Sequence, residues 1–110
     1  MHKKSSNAAA AALPDVGADN YIAQLIEDLK DPAEAAAYLE AALQEGNQEA
    51  LLLAMRQLAA ARGGMTAIAQ QTGLSRESLY RAFSKRGNPT LTTLSSVLAA
   101  AGLRLSVLPA

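Results

Sequence analysis

Apolar residues recur at helical spacing along most of this chain. In residues 20–30 the larger apolar side chains fall on one side of a helix, which predicts a short amphipathic helix. Asp31 and Pro32 then carry the chemistry of a helix start: a capping carboxylate, a proline at the first helical position and a glutamate three residues after the cap. We therefore expect a second helix over residues 32–45, which Gly46 ends.

Two further segments repeat the helical pattern. Asn47 can cap a third helix, whose broad apolar face precedes the paired Gly63–Gly64 and which we expect to be the centre of the fold. Thr90 can cap a last helix over residues 91–101. Residues 103–107 alternate apolar and polar side chains, which predicts a short strand. A single strand has no partner in a helical chain, so it either pairs across a dimer axis or is instead a tail over the core.

Composition favours an all-α fold of five to six helices. Half of the residues are apolar, and the most frequent of them is alanine, the best helix former. Residues 1–18 lack apolar periodicity and are predicted to be a disordered tail, which leaves residues 19–110 as a single helical domain. No stretch is apolar and long enough to span a membrane, and we expect a cytoplasmic protein.

Chemistry-bearing residues for catalysis are scarce. The chain has no cysteine, and its only histidine is His2, in the predicted tail. A nucleophile, a base and metal ligands are not found together, so we expect no enzyme activity, no bound metal and no cofactor.

The net charge of zero conceals an uneven distribution. Residues 1–49 contain nine acids against three bases, and residues 50–110 contain seven bases against one acid, Glu77. The two parts therefore carry formal charges of −6 and +6. The acidic helices over residues 20–45 and a basic second half suggest two different partners, although a chance partition of surface charge gives the same count.

Residues 65–83 have the spacing of a helix-turn-helix. Counted from Met65, the small Ala69 is at position five, Gly73 at nine and Leu79 at fifteen. The small residue allows two helices to cross closely, glycine permits the positive φ of the turn, and the aliphatic residue enters the core. We expect this motif over residues 65–84, with Ile68 and Leu74 completing the apolar contact between its helices.

The second helix of the motif, over residues 76–84 with Ser75 as its cap, has two distinct faces. At about 100° per residue, one face is apolar and the other presents Arg76, Glu77, Tyr80, Arg81 and Ser84. Arginine forks suit guanine, a carboxylate suits cytosine, and tyrosine suits a thymine methyl group or a phosphate. A solvated helix face can have the same composition, and the preceding turn is what favours DNA.

Residues at the rim of the motif are candidates for contacts with DNA phosphates. Thr66, which we expect to cap a first helix over residues 67–72, and Gln70 lie on that side of the motif. Lys85, Arg86 and Asn88 follow the second helix. Lys85 and Arg86 could equally be solubilising loop charges. Because one copy offers few contacts, we expect a homodimer on a palindromic operator in double-stranded DNA.

Three segments carry a family resemblance: AAYLEAAL, TGLSRESLYRA and GNPTLTTL. Over residues 31–107 the chain resembles the antidote proteins of a bacterial toxin–antitoxin family. The resemblance implies a lambda-repressor-like helix-turn-helix domain. It also implies a type II antitoxin that represses its own promoter and holds a small ribonuclease-like toxin inactive by direct binding.

Carried over through the TGLSRESLYRA block, the resemblance implies a set of base-reading residues. Two positions depart from the family pattern: Gly63–Gly64 replaces a single glycine, and Ala67 stands where many phage-type repressors have a phosphate-binding glutamine. The implied base readers are Ser75, Arg76, Glu77, Ser78, Tyr80 and Arg81.

Two other functions remain open at this point. One is a stand-alone phage-type transcriptional repressor without a toxin, and the other is a helical protein-interaction module that does not bind DNA. An acidic surface between Asp19 and Glu49 would attract a basic toxin, but a solvated acidic face without a partner has the same sequence.

Overall fold

The computed structural model describes residues 14–110, with side chains described from residue 20 onward. This part of the chain forms six α-helices and no strand, which confirms the all-α prediction. The helices are α1 (Pro14–Asp28), α2 (Pro32–Gln44), α3 (Gln48–Ala61), α4 (Met65–Thr72), α5 (Arg76–Ala82) and α6 (Leu91–Ala100).

Four helices begin at the caps that the sequence predicts. The side chains of Asp31, Asn47, Ser75 and Thr90 each accept a hydrogen bond from a backbone N–H two or three residues further on. Each of these bonds satisfies a donor that the first turn of a helix leaves without a partner.

Two helix starts differ from the prediction. Helix α1 begins at Pro14, so residues 14–18, which we assigned to the tail, are helical; the rest of the predicted tail, residues 1–13, lies outside the described residues. Thr66 does not cap α4, because the helix already begins at Met65. The cap position is Gly64, which has no side chain to accept a hydrogen bond.

The paired glycines explain this earlier start. Gly63 and Gly64 have φ angles of 96° and 94°, and the Gly64 N–H donates to the Ala59 carbonyl over 2.8 Å. The pair thereby closes the end of α3 and turns the chain directly into α4, with no room for a separate capping residue.

Helix α3 lies at the centre of the fold, as predicted, and packs against α1, α2 and α4. Alanines on the helix surfaces, such as Ala35 of α2, are fully buried and let the helix backbones approach closely. Each fully buried leucine or methionine contributes about 1.5–3 kcal/mol to folding. The buried residues of α3 are Leu52, Ala54, Met55, Leu58, Ala59 and Ala61.

The predicted C-terminal strand at residues 103–107 is wrong. No strand in the described residues offers it a hydrogen-bonding edge, so the segment has no sheet to join. Leu103 is half-buried against the core, and its N–H donates to the Leu98 carbonyl over 2.8 Å. The residues after it line a groove together with Leu39 and Leu43 of α2. This placement agrees with the other possibility given above, a tail over the core.

Candidate functional site

Helices α4 and α5 are joined by a three-residue turn whose geometry depends on glycine. Gly73 has φ 77° and ψ 5°, in the left-handed region that side chains disfavour, and its N–H donates to the Ala69 carbonyl over 2.9 Å. The turn then reaches Ser75, which caps α5. The positive φ that the sequence pattern required at Gly73 is therefore confirmed.

Thr72 fixes the start of the same turn. Its Oγ1 donates to the Ile68 carbonyl over 2.8 Å and accepts from the Leu74 N–H over 3.2 Å. Our sequence reasoning missed this residue. A threonine directly before a turn glycine was the available signal, because threonine hydroxyls bond readily to nearby backbone groups.

The apolar side of the α4–α5 pair is set into the core. Ile68, Leu79 and Phe83 are fully buried, and Leu74 and Ala69 pack against them while remaining half-buried. This arrangement agrees with the predicted contact between the two helices. It leaves the orientation of α5 little freedom, because rotating the helix would expose Leu79.

Every predicted base-reading residue is exposed. The Arg76 guanidinium lies over the Tyr80 ring, with 5.0 Å between its central carbon and the ring centroid. Arg76 and Glu77 lie in the first turn of α5. The exposed residues of this set are Ser75, Arg76, Glu77, Ser78, Tyr80 and Arg81.

The five predicted phosphate-contacting residues are exposed too, in three places. Thr66 and Gln70 lie one turn apart on α4, and Lys85 and Arg86 lie in the loop after α5. Asn88 lies further along, beside an apolar groove that α3 and α6 line. Lys85 and Arg86 follow α5 closely in the chain, whereas Thr66, ten residues before Arg76, is the most distant of the five in sequence from α5.

The loop that carries Lys85 and Arg86 is held at both ends by α3. Arg56 Nη1 donates to the Phe83 carbonyl over 2.7 Å, and Gln48 Nε2 donates to the Gly87 carbonyl over 2.9 Å. Gly87 is buried, and a Cβ atom there would overlap the Ala82 carbonyl oxygen. Arg56 and Gln48 were not identified as donors from the sequence, because each bonds to a carbonyl that is distant in sequence.

Not all of the basic residues face solvent. Arg56 and Arg62 are half-buried and donate to carbonyls of Phe83 and Ala101, which end α5 and α6. Positive charge at a helix C-terminus is favourable because of the helix dipole. The exposed cations of the second half are Arg76, Arg81, Lys85, Arg86 and Arg104, and four of these five lie within residues 76–86.

Residues 20–109 match the family model described as "Probable addiction module antidote protein". The chain belongs to this family. An uncharacterized protein of Haemophilus influenzae (strain ATCC 51907 / DSM 11121 / KW20 / Rd) is 43% identical over 81 residues, which are 74% of this chain and 82% of that protein. No solved structure gives a significant match. The resemblance seen in the sequence is confirmed and extends to residue 20.

The first half of this addiction-module antidote protein presents acidic side chains to solvent. Glu27 forms an exposed ion pair with Lys30 over 3.0 Å. Behind this surface, Tyr38 donates a hydrogen bond to Gln57 of α3. Burial raises the pKa of Tyr38, and Tyr21 and Glu45 raise it further. The exposed carboxylates of α1, α2, their connections and the first turn of α3 are Glu27, Asp31, Glu34, Glu40, Glu45 and Glu49.

Two kinds of structure are absent from the described part of the antidote protein, residues 14–110. In this part of the chain, no three histidine, cysteine, aspartate or glutamate side chains come together as metal ligands would. Nor is any of its helices long and apolar enough to cross a bilayer.

Proposed function

We propose that this antidote-family protein is the antitoxin of a type II toxin–antitoxin module. It represses its own promoter by binding a palindromic operator as a homodimer, and it neutralises a small ribonuclease-like toxin by direct binding. The observation that carries the DNA-binding part is the α4–α5 pair: a glycine-dependent turn, a fully buried Leu79, and an opposite face of α5 that is polar and exposed.

In this proposal, residues 19–110 act as one lambda-repressor-like DNA-binding domain in the cytoplasm. Helix α5 enters the major groove, where Arg76 and Glu77 at its first turn reach furthest toward the base edges. The same helix presents Ser75, Ser78, Tyr80 and Arg81. Phosphates are met by Thr66, Gln70, Lys85, Arg86 and Asn88, which fix the register without selecting a sequence.

The acidic surface of the first half is proposed as the side that attracts the toxin. The family description names an antidote, and an antidote requires a toxin as its partner. Exposed glutamates on α2 and at the start of α3, including Glu40 and Glu49, produce a negative potential there. A basic, RNA-cleaving toxin would be drawn to this surface and away from the basic DNA-contacting side.

Binding of the purified protein to a duplex from the region upstream of its own gene tests the first part. We expect specific binding that weakens steeply as salt rises, because phosphate contacts release counterions. A scrambled duplex of the same length and base composition is the control. Equal affinity for both duplexes, or no salt dependence, contradicts promoter recognition.

Co-expression with the adjacent gene tests the second part. We expect the product of that gene to co-purify with this protein and to be toxic when expressed alone. DNA binding without such a partner would point to a stand-alone repressor. A protein partner without DNA binding would point to an interaction module.

A further inference from the structure

Arg76 and Tyr80 form a stacked pair on the exposed face of α5. They lie one helical turn apart, and 5.0 Å separates the guanidinium carbon from the ring centroid. Within residues 20–110 the side chains of Arg76 and Tyr80 make no hydrogen bond and no ion pair. The contact between the Arg76 guanidinium and the Tyr80 ring is therefore the polar interaction of Arg76 in this part of the chain. The α5 face thus contains one arginine whose position depends on a neighbour.

The tyrosine is itself partly anchored. Its side chain is 51% exposed, and its covered part lines a shallow apolar hollow with Met65 and Phe83. Phe83 is buried in the core, so the hollow beside Tyr80 is lined in part by a core side chain, and the Arg76 guanidinium lies over the Tyr80 ring. A ring held in this way limits the orientations of the guanidinium that it stacks against.

Stacking uses the face of a guanidinium and leaves its edge free. The N–H groups of that edge lie in one plane and match the O6 and N7 acceptors of guanine. Arg81, on the same helix, is equally exposed but has no ring over which to lie. Of the two arginines on α5, Arg76 therefore has the more restricted geometry for a bidentate contact.

The ring also has a preference of its own. Residues one turn apart are separated by about 6 Å along a helix, while successive base pairs are about 3.4 Å apart. Tyr80 therefore lies beside a base pair one or two steps from the one that Arg76 contacts. The thymine methyl is the apolar group that the major groove offers to such a ring.

We propose that Tyr80 is a positioning residue for Arg76, and that the pair reads a guanine with a thymine methyl group one or two base pairs away. This inference rests on the proposed DNA binding. It assigns to one stacked pair a short element of the operator. It also gives Arg76 and Arg81 different roles, because only Arg76 selects guanine through a guanidinium that a neighbouring ring orients.

Selection of duplexes from a randomised library by the wild-type protein provides the starting point. Enriched sites should contain a guanine with an A·T pair, in either orientation, one or two steps away. In such a site, 7-deazaguanine removes the N7 acceptor and deoxyuridine removes the thymine methyl. We expect each replacement to weaken wild-type binding about tenfold, the usual scale of one specific base contact.

Variants of Tyr80 then test the positioning role. Tyr80→Leu should lose the tenfold discrimination of guanine from 7-deazaguanine while its melting temperature stays at the wild-type level. Tyr80→Phe keeps the ring and should retain the discrimination. In an Arg76→Ala background, Tyr80→Leu should have no further effect on guanine discrimination, because the effect passes through Arg76.

The outcomes separate this inference from the function on which it rests. If no sequence is enriched, both the proposed DNA binding and the stacked-pair inference are overturned. If sites are enriched but Tyr80→Leu discriminates guanine as well as the wild type does, the positioning role is overturned and promoter binding stands. If deoxyuridine binds as tightly as thymidine at every position, the assignment of the methyl group is overturned.

Discussion

The guanidinium of Arg56, on α3, donates a hydrogen bond over 2.7 Å to the carbonyl of Phe83, the residue at which α5 ends. The last carbonyls of a helix have no partner within the helix, and a half-buried one needs a donor from elsewhere. Arg56 provides that donor together with a positive charge at the negative end of the helix dipole. The central helix thereby holds the end of the helix that we propose to enter DNA.

Replacing Arg56 with methionine should destabilise the fold. Arg56→Met keeps a long apolar stem but leaves the Phe83 carbonyl without its donor, and we expect the free energy of unfolding to fall by about 1–3 kcal/mol. Urea denaturation followed by circular dichroism measures the change. Arg81→Met, on the exposed side of α5, is the matched control and should change stability by less than about 0.5 kcal/mol. Equal losses in the two variants would contradict the role of Arg56.

A methyl group at Gly87 should disturb the loop that carries Lys85 and Arg86. The added Cβ would overlap the Ala82 carbonyl, which is backbone and can move only by displacing the end of α5. We expect Gly87→Ala to cost at least about 1–3 kcal/mol, the usual range for overpacking. Asn88→Ala, at an exposed neighbouring position, is the control. A Gly87→Ala protein with the melting temperature of the control would show that the loop is not held as described.

Arg76→Ala should abolish specific binding to the protein's own promoter while leaving the fold intact. Arg76 is exposed in the first turn of α5, so its removal costs little stability but takes away a proposed guanine contact. Titration of a fluorescent promoter duplex measures the affinity. Arg104→Ala removes an equal charge far from α5 in the chain and should weaken binding only slightly. An unchanged sequence preference in Arg76→Ala would place the recognition helix elsewhere.

Stability should fall at high pH partly because of Tyr38. Its pKa is raised in the folded protein, so the folded state keeps a proton that the unfolded state loses above the ordinary tyrosine pKa, about 10. The contribution of Tyr38 is therefore intact below that value and is lost as pH rises toward the raised pKa. Tyr38→Phe should show a shallower fall in unfolding free energy above pH ~10. An unchanged slope in Tyr38→Phe would contradict this contribution.

Local chemistry explains which parts of the fold the sequence predicted. Caps such as Asp31 and Asn47 act on backbone groups two or three residues away, so their effect is legible in a short window of sequence. Gly73 could be predicted for a similar reason, because the turn requires a positive φ angle at one position only. The apolar periodicity that placed α3 at the centre is also a property of one segment.

Contacts between distant segments explain what the sequence did not predict. Gln48 and Arg56 bond to carbonyls that are 39 and 27 residues away, and backbone carbonyls have no sequence signature. The alternation at residues 103–107 failed for a related reason: a strand depends on a partner edge, and alternation alone does not provide one. The charge count overstated the basic surface, because Arg56 and Arg62 are half-buried and donate hydrogen bonds to the last carbonyls of helices.

The backbone of the loop from Phe83 to Gly87 is restrained at both ends before it meets any partner. Its two ends are bonded to α3, and Gly87 is packed against the end of α5. Ordering a flexible loop during association costs free energy for each side chain and backbone unit that is immobilised. The backbone of the loop that carries Lys85 and Arg86 is already restrained when an anionic surface approaches it. Less conformational entropy is then lost on binding, so a larger part of the electrostatic attraction contributes to the affinity.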